Sequence, residues 1–340
     1  MQSLSPLAEQ DREILYLALM DASASVAKLA AAVGCKPHVV QAALTKFHST
    51  GLISRRVMVD AFRLGLSRHS IYISLSKDGQ EKCGKVSEFL VDHPATSVVL
   101  EVAGDYDFFV AILVRDSGEL AQFQLAFASA FPSATLRMDI AVTIRHSVYG
   151  EKSLLSDKRL YRECTFAMGG RQFEADEVDR RILFRVCDSV FRGSAQLSRR
   201  LGMPASTVEY RLKKLRERGI ICGDMYEVRG ELLGLSNFIV LVQMKGVSDV
   251  THTGFISFAR LHPHITHLSF EVGYWDYQLG VAVQEVEQLN ALIEEVQSRF
   301  SDQLVIARAI PMFKARKVRD YPFDPSYPHW SSQPQHAANL

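Results

Sequence analysis

His262-Pro263-His264, with His267 three positions beyond His264, gathers three imidazoles in one short stretch, and imidazole is a common zinc ligand. The spacing argues against a shared metal. The segment enters an apolar run read as a strand, where successive side chains face opposite sides, and no cysteine or carboxylate cluster completes a shell. The chain also lacks a Gly-x-Ser-x-Gly elbow, a phosphate-binding glycine-lysine loop, a His-Glu-x-x-His helix and a Rossmann glycine fingerprint. An enzyme is not expected, and neither a metal nor a cofactor is assigned. A second constellation is the pair of turns Gly104-Asp105-Tyr106-Asp107 and Gly273-Tyr274-Trp275-Asp276, each set between apolar runs. Glycine lets a chain turn with positive φ, and an aspartate beside it accepts hydrogen bonds from turn amides or from a ligand ammonium. These eight residues are candidates for contact with a small effector, with turn architecture as the competing explanation.

The third constellation is a basic amphipathic stretch. Ser206, Thr207, Glu209 and Tyr210 open it, Arg211, Lys213, Lys214, Arg216 and Arg218 follow, and Val208, Leu212 and Leu215 recur at helical spacing. A helix in the major groove of DNA needs short polar groups near its start for base edges and cations for phosphates. The corresponding stretch earlier in the chain, from Lys36 to Thr50, holds only Lys36 and Lys46 as cations, with His38 and Gln41 as polar groups. Arg55 and Arg56 follow it where a wing strand could meet a phosphate. Solvation of an exposed helix face competes with DNA contact, more seriously for the earlier stretch than for the later one.

The elements that must position these residues come in duplicate. Asp11-Arg12-Glu13-Ile14-Leu15 recurs as Asp179-Arg180-Arg181-Ile182-Leu183, 168 positions later (179 − 11), and the same shift carries Gly34 to Gly202, Leu44 to Leu212 and Gly51-Leu52-Ile53 to Gly219-Ile220-Ile221. After one inserted residue, His93-Pro94 maps to His262-Pro263 and Asp107 to Asp276. Each copy opens with short helices joined by a glycine turn, a helix-turn-helix signature, and continues in β-α-β-β-α-β order, the ferredoxin-like pattern. The expected fold is α+β. A first helix-turn-helix domain, winged-helix-like, spans 1–60, and a first ferredoxin-like domain 66–149. A linker follows over 150–173. The second helix-turn-helix domain spans 174–230, the second ferredoxin-like domain 235–320, and a flexible tail 321–340.

Composition excludes less. The 340 residues carry 39 Lys plus Arg against 38 Asp plus Glu, so the formal net charge of +1 selects no partner, although a balanced total can hide a local patch. Five scattered cysteines form no Cys-x-x-Cys pair, which predicts reduced thiols. No apolar run approaches the ~20 residues needed to span a bilayer, and the first residues lack a secretory signal, so a cytoplasmic protein without membrane association is expected.

A helix-turn-helix followed by a ferredoxin-like domain with Gly-x-Tyr/Trp-Asp turns resembles the Lrp/AsnC (feast/famine) transcriptional regulators. The likeness covers nearly the whole chain twice. It rests most specifically on Asp179-x-x-Ile182-Leu183, the segment from Ser206 to Leu215 closed by Gly219-Ile220-Ile221, and the two turns. It implies binding of double-stranded DNA by the helical domains, and dimerisation and amino-acid or small-metabolite sensing by the ferredoxin-like ones. Family members ordinarily carry one such unit, so the duplication implies an internal pseudo-dimer able to oligomerise further, with unequal half-site recognition led by the second helix-turn-helix. Sirohaem decarboxylases resemble the same family in fold and pair their units around a tetrapyrrole. They are the enzymatic alternative, against which the basic second helix argues.

Overall fold

The computed structural model describes residues 7–188 and 193–324. The first copy runs α1 (Glu9–Met20), α2 (Val26–Val33), α3 (Pro37–Ser49), β1 (Ile53–Val59), β2 (Ser67–Leu75), α4 (Lys77–Glu81), α5 (Cys83–Asp92), β3 (Thr96–Val102), β4 (Phe108–Val114), α6 (Ser117–Ala130) and β5 (Thr135–Val148). After β6 (Cys164–Ala167), the second copy runs α7 (Glu177–Val186), α8 (Ser194–Leu201), α9 (Ala205–Glu217), β7 (Ile221–Val228), β8 (Ser236–Met244), α10 (Asp249–Leu261), β9 (Ile265–Gly273), β10 (Tyr277–Val283), α11 (Val286–Arg299) and β11 (Leu304–Val318). Local signals place these ends. The Ser25 side chain caps α2 by accepting from the Lys28 N–H, and Gly34 closes that helix in the left-handed region at φ 72°, as Gly202 closes α8 at φ 64°. The Ser248 side chain likewise caps α10 at Asp249 by accepting from the Thr251 N–H.

Each ferredoxin-like domain has the antiparallel order that its chain path requires. In the first, β2 pairs with both β5 and β4, and β3 adds to β4. In the second, β8 pairs with β11 and β10, and β9 adds to β10. Helices cover one face of each sheet. Phe123 and Phe127 of α6 pack with Val86 and Leu90 of α5, and Leu292 and Val296 of α11 with Phe255 and Phe258 of α10.

The helical and sheet domains do not group as consecutive pairs. One compact unit comprises the chain up to Arg56, Ile144–Phe166 and Gly223–Met312, and therefore joins the first helix-turn-helix to the second ferredoxin-like domain. The other comprises Val57–Thr143, Ala167–Cys222 and the chain from Phe313, joining the second helix-turn-helix to the first ferredoxin-like domain. The two copies thus follow one another along the chain as expected, while their domains pack in exchanged pairs. The reason lies in the strands that leave each helical domain: Val57 and Val59 of β1 are buried with Ile182, Leu183, Val208 and Leu212, whereas Tyr226 and Val228 of β7 pack beside Ile14, Leu15, Val40 and Phe47.

Two further expectations change. The first part of the stretch 150–173 is packed, while residues 167–172 are exposed: Leu154 and Leu160 belong to the core of the first helical domain, and the buried Lys152 donates from Nζ to the carbonyls of Ala259 at 2.7 Å and Arg260 at 2.8 Å. These are orphan carbonyls at the end of α10, and the Lys152 amine satisfies them as a hydrogen-bond donor while burial pushes its pKa down to about 7. Lys317 serves α5 likewise through the carbonyls of Val91 and His93. The expected tail begins with Tyr321 and Phe323 buried against the second helical domain, and the rest of it, 325–340, lies outside the described residues.

Candidate nucleic-acid interface

In the second helix-turn-helix, α9 turns Val208, Leu212 and Leu215 into a core completed by Ile182 and Leu183 of α7 and Leu197 and Leu201 of α8. Helical geometry then fixes the opposite face, on which Ser206, Tyr210, Lys213 and Glu217 follow one another at steps of four, three and four residues, all exposed. Tyr210 is 65% exposed, unusual for so large an aromatic ring, and Thr207 lies beside it at the helix start. Lys213 Nζ is 3.8 Å from a Glu217 carboxylate oxygen, a surface contact weak enough for a phosphate to replace. Glu209 accepts from the Ser194 hydroxyl at 3.1 Å, tying the start of α8 to α9.

Arg211 faces the other way. Its Nη1 donates to Asp176 at 2.5 Å and Asp179 at 3.1 Å, and Asp179 is buried. Burial tends to raise the Asp176 carboxyl, but the Asp179 N–H and the Arg211 guanidinium bring it below the usual carboxylate range. Asp176 itself caps α7 by accepting from the Asp179 N–H at 2.8 Å. Arg211, expected from the sequence to contact DNA, thus has a structural partner as well: this cation ties α9 to α7. Lys214 lies over the Phe173 ring at 5.4 Å, and Arg218 is the exposed carboxyl cap of α9. The signal that could have identified the lock is Asp176-x-x-Asp179, one helical turn of acid at the head of α7.

The first helix-turn-helix repeats the scaffold without the charge. The positions of α3 matching Ser206, Tyr210 and Lys213 are His38, Ala42 and Thr45, all exposed, with Gln41 beside them. Thr45 turns its hydroxyl to the Gln41 carbonyl at 2.8 Å. Lys36 is the exposed residue before α3, and Lys46 Nζ approaches Asp11 at 3.8 Å. Arg55 is drawn inward to Asp224, a buried carboxylate on β7, at 2.9 Å, and Arg56 is half-buried on β1. Arg55 thus has a structural partner that its position in the sequence, just after a helix, did not reveal.

The two glycine turns hold equivalent hydrogen bonds. Asp107 accepts from the Leu75 N–H at 2.6 Å and from the Gln80 amide, and Asp276 accepts from the Met244 N–H at 2.7 Å. Leu75 and Met244 are the last residues of β2 and β8, so each aspartate clamps a strand end to the turn. Gly104 adopts φ 94°. Tyr106 is buried and donates its hydroxyl to Asp139, and Trp275 is buried as well. Exposure toward solvent remains at Gly104, Asp105, Gly273 and Tyr274. Among the described residues, no group of three His, Cys, Asp or Glu side chains is placed to hold a metal, and no helix is long and apolar enough to cross a membrane. His267 instead lies over Gly280, where any side chain would collide with its ring.

A family model described as winged helix-turn-helix DNA-binding matches residues 176–221, which spans α7, α8 and α9. An uncharacterized HTH-type transcriptional regulator of Pyrococcus horikoshii is 30% identical over 122 residues, 35% of this chain and 79% of that protein. The HTH-type transcriptional regulator AldR of Mycolicibacterium smegmatis is 27% identical over 133 residues, 39% of this chain and 78% of its own length. Among solved structures, the siroheme decarboxylase NirDL shares the fold across both copies, with a TM-score of 0.61, 16% identity, and coverage of 94% of this chain and 96% of that one.

Proposed function

This chain belongs to the Lrp/AsnC family of helix-turn-helix transcriptional regulators, and from that premise we propose that it binds specific double-stranded DNA sites chiefly through its second helix-turn-helix. The observation that carries this reading is the difference between the outward faces of α9 and α3. The first offers Ser206, Thr207, Tyr210 and Lys213, with Lys214, Arg216 and Arg218 nearby, and the second offers His38, Gln41, Ala42 and Thr45. Tyr210 and the small hydroxyls suit base edges, and Lys213 suits a phosphate. Two copies in one chain make an internal pseudo-dimer that meets two unequal half-sites, with Lys36 and Lys46 adding weaker contacts. An amino acid or other small effector would meet the exposed Asp105, Gly273 and Tyr274, because Asp107 and Asp276 already hold the strand ends.

Fluorescence anisotropy against genomic fragments tests this. Tyr210→Ala with Lys213→Ala is expected to weaken specific binding at least about tenfold, roughly 1.4 kcal/mol, without changing thermal stability. Lys36→Ala with Lys46→Ala should cost less than about threefold, and the opposite order would refute the assignment. A second reading, tetrapyrrole decarboxylation, is favoured by one observation, the likeness to NirDL over both copies. A shifted sirohaem absorbance on addition of the protein, with decarboxylation and no DNA affinity, would replace the regulatory reading with that one.

A further inference from the structure

Glu209 is an acid near the start of α9, followed by the cations Arg211, Lys213, Lys214 and Arg216, and it is exposed beside Tyr210. DNA phosphates repel a carboxylate, so an acid on this surface needs a compensating partner. The helix offers Lys213, four residues on, in the order that favours a helix-surface ion pair. That pair is not made. Lys213 approaches Glu217 at 3.8 Å, while Glu209 accepts at 3.1 Å from the hydroxyl of Ser194, the first residue of α8. One carboxylate oxygen of Glu209 is thereby fixed at the start of α8, and the other is held by no described residue.

The first copy carries Gln41 at this position, 168 residues earlier (209 − 41), and Val26 in place of Ser194. Gln41 is likewise exposed, and its amide reaches Thr45 Oγ1 at 3.4 Å, a long contact that a base edge can replace. Glutamate and glutamine share length and shape but differ in hydrogen bonding, since a carboxylate only accepts whereas an amide both donates and accepts. In the major groove cytosine presents its N4 amino donor alone, adenine sets its N6 donor beside the N7 acceptor, and guanine and thymine present acceptors. A carboxylate therefore matches cytosine. An amide matches adenine.

We propose that Glu209 selects cytosine in the half-site met by the second helix-turn-helix, and that Gln41 selects adenine at the corresponding position of the half-site met by the first. This inference rests on the reading of the helical domains as DNA binders, and adds to it the base that each copy chooses. Ser194 is a positioning residue: its hydroxyl fixes one carboxylate oxygen of Glu209 and leaves the other to accept from cytosine N4. Contact with a donor offsets phosphate repulsion only at a matched base. An acid here thus weakens binding to every other sequence and sharpens discrimination.

Selection by the full chain from a pool of randomised duplexes, followed by fluorescence anisotropy on the selected duplex and its single base-pair exchanges, tests the proposal. The unsubstituted chain should prefer C·G to A·T at one position of its main half-site by at least about fivefold. Glu209→Gln should reverse that preference at that position alone, and Gln41→Glu should convert one A·T of the other half-site to C·G. Glutamine at 209 keeps an oxygen that accepts from Ser194, so an unchanged melting temperature shows that the fold is intact. An unaltered preference in either variant, a switch to guanine or thymine, or a uniform gain on all duplexes, as loss of a negative charge alone would give, would overturn the assignment and leave DNA binding in place. Failure of the unsubstituted chain to enrich any duplex would instead remove the DNA-binding reading and this inference together.

Discussion

Arg211 and Lys213 are two residues apart on one basic helix and have opposite duties. Lys213 is on the exposed face, while Arg211 neutralises the buried Asp179 and the cap residue Asp176. Removing a cation from a buried carboxylate leaves that carboxylate uncompensated, so Arg211→Ala should destabilise the second helical domain by about 3 kcal/mol. Chemical denaturation monitored through that domain would measure this loss, and Lys213→Ala should leave the midpoint unchanged. His93 and His262 supply a residue-scale pH dependence. Burial first, with the nearby Lys317 for His93 and with His264 and Lys152 for His262, pushes each imidazole down to about 4. The unfolded chain takes up these protons near pH 6.5, so their contribution to stability is complete above that value and is lost as pH falls from there toward 4. The melting temperature should therefore fall between pH 7 and 4.5, and the double variant His93→Gln, His262→Gln should show a shallower fall.

At the scale of elements, the repeat keeps the apolar side of each reading helix and changes the other side. Val40 and Val208, like Leu44 and Leu212, occupy matching positions, while Thr45 stands where Lys213 does. Thr45→Lys should add one phosphate contact to the first helix-turn-helix and steepen the log-log salt dependence of DNA affinity by about 0.9, measured by titrations at several salt concentrations. These helices, their glycine ends and the βαββαβ order were legible in the sequence because periodicity and capping are local. Gly34, Gly202 and the Pro37 start of α3 each act within a few residues. The inward turn of Arg211 was not legible from its own helix, since Asp176 and Asp179 lie on a different one. The same holds for Arg55, whose partner Asp224 is 169 positions away (224 − 55).

For the whole molecule, the exchange of domains between copies is the main structural result. Val57, which follows the first helix-turn-helix in sequence, is buried in the core of the second, and Leu232, which follows the second, is buried in that of the first. Val57→Ala should thus loosen the second helical domain by roughly 2 kcal/mol. Hydrogen exchange would show faster amides over α9 and unchanged ones over α3, with Leu232→Ala giving the reverse pattern. Sequence by itself determined the duplication, the two domain types in each copy and the concentration of cations in the second reading helix, because repeats, hydrophobic period and charge are properties of the chain. Only tertiary structure decided which helical domain packs with which sheet, which cations of that helix remain outward, and that the stretch after β5 is core. Those outcomes depend on apolar burial and on the neutralisation of buried charge between residues more than a hundred positions apart, or on separate helices, where no local pattern records the partner.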